Sequence, residues 1–192
     1  MTAYFTGDSH FNHINILKYE PTRGDLWANV DEMNEALVER WNKVIGEDDS
    51  VYHVGDFAMG QRSQAPAIFD RLNGDKHIIP GNHDMKPAQL EEMGWKVLPQ
   101  LYEFKVSMAQ RSQRFVLCHY PLMTWNKANH GALHLHGHSH GHIAQSSTRF
   151  DVGVDGVSTW MRGWVIGAPI SAEQIVDHVE RNGIEYDKVD HH

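Results

Sequence analysis

Histidine is concentrated in one short segment of the sequence. Five of the ten residues from Leu133 to His142 are His, and such a density of imidazole is typical of metal binding. Two interpretations are open at this point. The segment is either a surface His tract without fixed geometry, or one part of a polynuclear metal site whose other ligands lie elsewhere in the chain.

Further candidate ligands follow three strand-like segments in the first half of the chain. The segments begin at Tyr4, Val51 and His77, and each stops at a Gly or Pro-Gly. The polar residues that follow these stops are Asp8, His10, Asp56, Asn82, His83 and Asp84. Ligands of open sheets bind outside the carboxyl ends of strands. Carboxylate, amide and imidazole without thiolate suit Mn, Fe, Zn, Ni or Co better than a structural zinc site.

The elements that must position these residues alternate between strands and amphipathic helices, which predicts an α/β or layered α+β domain over residues 1–192. Helices are expected at 29–45, 65–72 and 171–182, and Asn29-Glu32 and Ser171-Gln174 resemble capping boxes. Further strands are expected within 96–107, 114–119, 132–136 and 150–155.

Composition excludes several classes of protein. The chain has a single cysteine, Cys118, and its first residues lack the basic and apolar regions of a secretion signal. No uncharged apolar run reaches the roughly 20 residues of a membrane span, so we expect a cytoplasmic protein. A formal net charge of −8 argues against extensive nucleic-acid binding, which depends on Lys and Arg. Oligomeric state is left open.

Five blocks occur in a fixed order along the chain. They are Asp8-x-His10, Gly55-Asp56, Gly81-Asn82-His83-Asp84, His119 and Gly137-His138-Ser139-His140. Together they resemble the motifs of the calcineurin-like metallophosphoesterase superfamily. The segment from Phe5 to Ile16 is also similar to a small branch of prokaryotic and phage phosphoesterases. The resemblance implies an α/β fold in which a two-sheet β-sandwich is flanked by helices.

The resemblance also implies a centre of two divalent metal ions, with manganese expected first and Fe, Zn, Ni, Co or Mg as alternatives. Asp8, His10 and His140 would hold one ion, Asn82, His119 and His138 the other, and Asp56 would bridge them. Two ions about 3.5–4 Å apart share a hydroxide that attacks phosphorus. We therefore expect hydrolysis of phosphodiester bonds.

The resemblance gives His83 a catalytic rather than a metal-binding role. An imidazole at this position stabilises the transition state or protonates the leaving group. Asp84 is expected to accept the other ring N–H of His83 and so orient it.

Candidate substrate contacts are His13, in the loop after the first strand, and Arg23, in the Pro21-Thr-Arg-Gly turn. Arg23 would grip a phosphate bidentately, and the alternative for it is a solvated loop cation. Trp125 and Trp160 are candidates for stacking on a nucleobase, although packing in the core is the favoured interpretation. His134, His136 and His142 are left open between structural and substrate-facing roles, with structural roles favoured.

Three classes of function remain. The first is a dimetal phosphodiesterase acting on a small phosphate ester such as a nucleotide, because the chain is short and acidic. The second is a phosphomonoesterase or a nuclease of the same superfamily. The third is a non-catalytic metal-binding scaffold, which would be expected to have lost some ligands or His83.

Overall fold

The structure is a computed structural model that describes residues 1–60, 62–144 and 146–183. Residues 184–192, which the predicted domain 1–192 includes, lie outside the described residues.

The first sheet has five strands in the order β4-β3-β2-β1-β9. Strands β1 (Ala3–Thr6), β2 (Ser50–His53), β3 (Asp75–Ile78) and β4 (Lys96–Val97) are parallel. The last strand, β9 (Ile170–Ser171), pairs antiparallel with β1. Because β1, β2 and β3 run in one direction, the loops that follow them meet at one edge of the sheet.

The second sheet has the order β5-β6-β7-β8. Strands β5 (Leu101–Ser107) and β6 (Ser112–Cys118) form an antiparallel hairpin. Strands β7 (Leu133–His136) and β8 (Arg149–Asp151) continue the sheet in parallel with β6. This sheet therefore also has three carboxyl ends at one edge.

The helices differ widely in length. They are α1 (Ile16–Tyr19), α2 (Pro21–Leu26), α3 (Val30–Val44), α4 (Ala65–Phe69), α5 (Pro87–Met93), α6 (Val157–Trp160) and α7 (Ala172–Asn182), with 3-10 turns at Arg62–Gln64 and Ala128–His130. The predicted caps are confirmed, because Asn29 accepts the N–H of Glu32 and Ser171 forms a capping box with Gln174. Within the described residues, none of these helices is long and apolar enough to cross a membrane.

Two hydrophobic clusters hold the layers together. One joins β2 and β3 to α3, α4 and α5, with Trp41 and Phe69 among its buried members. The other contains residues of both sheets and of α7, and within it the ring centroids of Phe5 and Phe115 lie 4.9 Å apart. The predicted α/β architecture, two sheets flanked by helices, is thus confirmed.

Several predicted boundaries differ from the structure. The strand expected at 150–155 ends at Asp151, and the helix expected at 65–72 ends at Phe69. Residues 21–24 form the start of α2 rather than a turn, because the fixed φ of Pro21 suits the first turn of a helix. This last difference changes the position of Arg23.

Candidate metal centre

The polar loops of both sheets meet at the carboxyl ends of their strands. Hydrogen bonds join them across the sheets: the backbone N–H of His138 donates to Asp8 Oδ2 at 2.9 Å, and His119 Nδ1 lies 2.7 Å from the carbonyl oxygen of Val54. The predicted residues, which come from five separate segments, are therefore brought to one place.

A first cluster consists of Asp8, His10 and His140, whose ligand atoms all lie within 4.8 Å of one another. The Nε2 atoms of His10 and His140 are 3.3 Å apart. Asp8 and His10 are buried, whereas His140 is partly accessible. The three side chains have the separation needed to contact a common ion.

A second cluster consists of Asp56, His119 and His138, again with ligand atoms within 4.8 Å of one another. Asn82 joins it, since its Oδ1 lies 3.0 Å from His119 Nε2. In neutral His119 the hydrogen bond to Val54 assigns the ring proton to Nδ1. Nε2 then presents its lone pair toward the cluster, as a metal ligand must.

Asp56 of the second cluster also lies close to the first. Its Oδ2 is 3.5 Å from Nε2 of His119 in the second cluster and 3.8 Å from Nε2 of His10 in the first. Its Oδ1 accepts the backbone N–H of His83 at 2.9 Å. One carboxylate oxygen thus lies close to a His nitrogen of each cluster.

Backbone strain is concentrated in these same residues. Among the described residues, seven other than Gly have positive φ, and five of them belong to the two clusters: Asp8, His10, Asp56, His138 and His140. A left-handed backbone costs a residue with a side chain about 1 kcal/mol or more. Strain of this kind persists where a functional site requires it, and here it turns the side chains toward a common centre.

Two glycines permit the close approach of Asp8 to the neighbouring loops. A Cβ atom at Gly137 or at Gly153 would lie 2.5 Å from Asp8 Oδ2. Contacts this short do not occur, so any side chain at either position would displace the Asp8 carboxylate.

The charge balance of the first cluster favours a cation. Burial raises the pKa of Asp8 well above its ordinary value. In the described part of the chain, Asp8 Oδ1 and His10 Nδ1 are buried without a hydrogen-bond partner. An ion bound by Asp8 would offset the cost of burying its charge. Oxygen and nitrogen donors without sulfur fit Mn, Fe, Zn, Ni or Co, so the residues present fit a divalent metal.

The two histidines of the first cluster have opposite electrostatic environments. Burial and the nearby Arg23 lower the pKa of His10 to about 2. Burial by itself would lower the pKa of His140. The hydrogen bond to Asp155 and the charge of Asp8 outweigh burial and raise this pKa to about 9. The same negative charges favour a metal cation at His140 Nε2.

His83 lies beside the centre without belonging to either cluster. Its ring centroid is 5.9 Å from that of His10, and its side chain is half-buried. The prediction that Asp84 accepts a ring N–H of His83 is wrong. Its two oxygens accept the backbone N–H groups of Asp56, Phe57 and Gly81 at 2.7–2.8 Å, so this carboxylate holds two loops together instead of orienting the His83 ring.

Arg23 is neither a substrate contact nor a solvated cation. It is fully buried in α2 and forms an ion pair of 2.7 Å with Asp155. Burial alone would raise the pKa of Asp155, but Arg23 and His140 hold it well below its usual range. The prediction that Arg23 grips a phosphate is thus corrected, because its N–H groups point at protein oxygens.

His13, the other candidate substrate contact, lies at the centre's edge. Its ring centroid is 5.8 Å from that of His10 and 6.1 Å from that of Tyr19, and it is partly accessible. Burial and the neighbouring His83 lower its pKa. The structure therefore places this side chain beside the first cluster with part of its surface accessible.

The remaining histidines of the His-rich segment contact protein groups. His134 is buried, with Nδ1 2.9 Å from the carbonyl oxygen of Val116. His136 is also buried, and its Nδ1 lies 2.9 Å from the carbonyl oxygen of Gly137. His142 is exposed and lies 3.2 Å from Glu20. These contacts support the structural roles favoured above.

Both candidate tryptophans form hydrogen bonds and ring contacts within the fold. Trp125 donates its ring N–H to the carbonyl oxygen of Ala132 and packs against His134. Trp160 donates to the carbonyl oxygen of Asp151 and packs against Phe150. Both are half-buried, in accordance with packing rather than stacking on a base.

Three residues next to the clusters were not predicted. Asp155 lies 2.8 Å from His140 Nδ1, and Glu20 lies 3.7 Å from the same atom. Tyr120 is 43% exposed and packs edge-on against His119 and His138. Asp155 had a detectable signal, because it lies at the end of the strand-like segment from Phe150 and next to a glycine, as Asp8 and Asp56 lie next to Gly7 and Gly55.

Comparison with known proteins gives relatives without an assigned activity. No family model matches the chain. It is 33% identical over 139 residues to the uncharacterized protein MJ1445 of Methanocaldococcus jannaschii, an alignment that covers 71% of this chain and 68% of the relative. It is 28% identical over 173 residues to the gene 66 protein of Mycobacterium phage D29, covering 76% of this chain and 81% of that protein.

Two solved structures resemble the fold to different degrees. The crystal structure of a protein of unknown function from Aquifex aeolicus has a TM-score of 0.65 at 22% identity and covers 92% of this chain and 98% of its own. A predicted phosphoesterase from Streptococcus pneumoniae has a TM-score of 0.40 at 15% identity and covers 86% of this chain and 77% of its own. The first supports the fold, and the second is too dissimilar to bear on function.

Proposed function

The chain belongs to the same family as MJ1445, and from its candidate metal centre we propose that it is a dimetal-dependent phosphoesterase that hydrolyses phosphodiester bonds. The relatives carry no assigned activity, so the proposal depends on the residues themselves. Its main support is the pair of neighbouring ligand clusters, in which Asp56 Oδ2 of the second lies 3.5 Å from His119 Nε2 and 3.8 Å from His10 Nε2 of the first.

The residues of this chain divide into ligands and a candidate acid. Asp8, His10 and His140 would hold one ion, Asn82, His119 and His138 the second, and Asp56 both. When bound, two divalent ions lower the pKa of water and neutralise phosphate oxygens. Histidine and asparagine ligands are uncharged, so the loaded centre keeps a positive charge that attracts an anionic ester.

His83 is proposed as the residue that moves a proton. Its backbone N–H is held by Asp56 Oδ1 at 2.9 Å, which fixes the loop against the centre. Its half-buried ring lies beside the ligands, 5.9 Å from the His10 ring between centroids. From there an imidazole N–H can stabilise a phosphate oxygen or protonate the departing alkoxide.

The substrate is proposed to be a small ester such as a nucleotide. The formal net charge of −8 disfavours a long polyanion. Tyr120, 43% exposed beside the second cluster, offers an aromatic surface for a base, and the partly accessible His13 offers an imidazole N–H beside the first cluster.

The experiment compares two chromogenic esters on the manganese-loaded protein. We expect turnover of bis-p-nitrophenyl phosphate, with a higher kcat/KM than for p-nitrophenyl phosphate. His83→Ala should lose most of this turnover, whereas His130→Ala, on an exposed turn, is the matched control and should keep it.

Other outcomes would replace the proposal with one of its alternatives. A preference for the monoester would indicate a phosphomonoesterase. Cleavage of single-stranded DNA or RNA in preference to the small diester would indicate a nuclease. Two bound manganese ions without turnover of any of these substrates would indicate a metal-binding scaffold.

A further inference from the structure

Arg23 is the largest of the fully buried side chains in the described part of the chain. Its Nε lies 2.9 Å from Asp155 Oδ1, and its Nη2 lies 2.7 Å from Asp155 Oδ2. Its Nη2 and Nη1 also donate to the carbonyl oxygens of Asp8 and Ser9, at 2.6 and 3.0 Å. One guanidinium thus binds a carboxylate and two adjacent carbonyl groups.

Each of these contacts leads to a residue of the first cluster. The Asp8 carbonyl belongs to a residue with φ of 50°, and the Ser9 carbonyl precedes His10, whose φ is 49°. Asp155 Oδ2, which Arg23 binds, lies 2.8 Å from Nδ1 of His140. Asp8, His10 and His140 come from two segments 130 residues apart, and Arg23 and Asp155 connect them.

The second cluster is held by other groups. His119 is oriented by the carbonyl oxygen of Val54 at 2.7 Å. The loop of Asp56 is held by Asp84, which accepts the backbone N–H of Asp56 at 2.7 Å. Among residues 1–60, 62–144 and 146–183, neither Arg23 nor Asp155 forms a hydrogen bond with Asp56, Asn82, His119 or His138.

We infer that Arg23 and Asp155 are positioning residues that assemble the first metal site and leave the second unaffected. The inference rests on the proposed function, because it assigns this role toward the same pair of ions. Arg23 holds the left-handed backbone from which Asp8 and His10 project. Asp155 accepts the Nδ1–H of His140, which fixes its tautomer and directs Nε2 toward the ion.

The test measures manganese binding by calorimetric titration, independently of activity. His10→Ala and His119→Ala first identify which binding step belongs to which cluster. Arg23→Lys keeps the charge beside Asp155 but cannot donate to both carbonyl groups in the same fork. We expect it to weaken the first site about 10-fold, within the range for partners that orient metal ligands, and to leave the second unchanged.

A double variant, Arg23→Met with Asp155→Leu, separates positioning from stability. Replacing a buried ion pair by apolar residues of similar size is often neutral or stabilising, so this variant provides a folded protein without the connection. We expect the first site to weaken about 100-fold. Arg71→Lys is the matched control, because Arg71 forms a comparable ion pair with Glu35 on the exposed surface. In this variant the manganese affinity of both sites should be unchanged.

The outcomes distinguish this inference from the proposed function. If the wild-type protein binds no manganese, both fail. If it binds two ions and Arg23→Lys, folded by circular dichroism, binds both with wild-type affinity, the inference alone is overturned. Equal weakening of both sites would also overturn it. Should the double variant not fold, Arg23→Lys decides.

Discussion

The two clusters of the candidate centre each contain one Asp and two His, with Asn82 added to the second, but they are anchored differently. The first is connected by side chains, through the buried ion pair of Arg23 and Asp155. The second depends on the backbone, through three N–H groups that Asp84 binds and the Val54 carbonyl that orients His119. Loss of a side chain can therefore affect one cluster without the other.

The difference follows from where the ligands lie in the chain. Asp56 and Asn82 follow the adjacent parallel strands β2 and β3, so their loops are close enough for one carboxylate to bind backbone groups of both. Asp8 and His140 follow strands of different sheets. Arg23, a long side chain from α2, binds the Asp8 carbonyl oxygen directly and is connected to His140 through Asp155.

The largest effect is expected at Asp56, whose carboxylate lies near a His nitrogen of each cluster. Asp56→Asn removes the charge but keeps an oxygen that can accept the N–H of His83. We expect both sites to lose manganese affinity by about 100-fold or more, and hydrolysis to stop. Elemental analysis after dialysis measures this, and retention of two ions at wild-type affinity would contradict the bridging position.

His83→Ala is expected to change turnover and not metal content. Loss of a general acid lowers kcat by roughly 10²–10⁴-fold, whereas the ligands of both clusters stay in place. Steady-state kinetics and elemental analysis on the same sample test this. A metal-free His83→Ala protein would mean that His83 is part of one of the clusters.

Asp84→Asn is the counterpart of the Arg23 variants for the second cluster. The amide has one acceptor oxygen where the carboxylate binds three N–H groups with two. We expect the second site to weaken about 10-fold and the free energy of unfolding to fall by about 1–3 kcal/mol. Calorimetric titration and urea unfolding measure the two effects. Weaker manganese binding at the first site alone would contradict the assignment of Asp84 to the second cluster.

The smallest effect is expected at His142, at the outer edge of the first cluster. Its side chain is 69% exposed, and it contacts Glu20. His142→Ala should change the free energy of unfolding by less than about 0.5 kcal/mol and leave both affinities unchanged. A marked loss at the first site would show that this cluster extends to Glu20.

The sequence predicted the parts of the molecule that depend on local pattern. The caps at Asn29 and Ser171 and the polar residues after the early strands are short-range signals, and the structure contains them. The role of Arg23 was predicted wrongly because its partner Asp155 is 132 residues away. The role of Asp84 was predicted wrongly for a related reason. Its oxygens accept N–H groups of a loop 27 or 28 residues earlier in the chain.

Anomalous diffraction from crystals soaked in manganese tests the centre most directly. We expect two peaks about 3.5–4 Å apart, one contacted by Asp8, His10 and His140, the other by Asn82, His119 and His138, and both by Asp56. A single peak between Glu20, His140 and Asp155, the third group whose ligand atoms lie within 4.8 Å of one another, would contradict a centre of two ions, as would the absence of any peak.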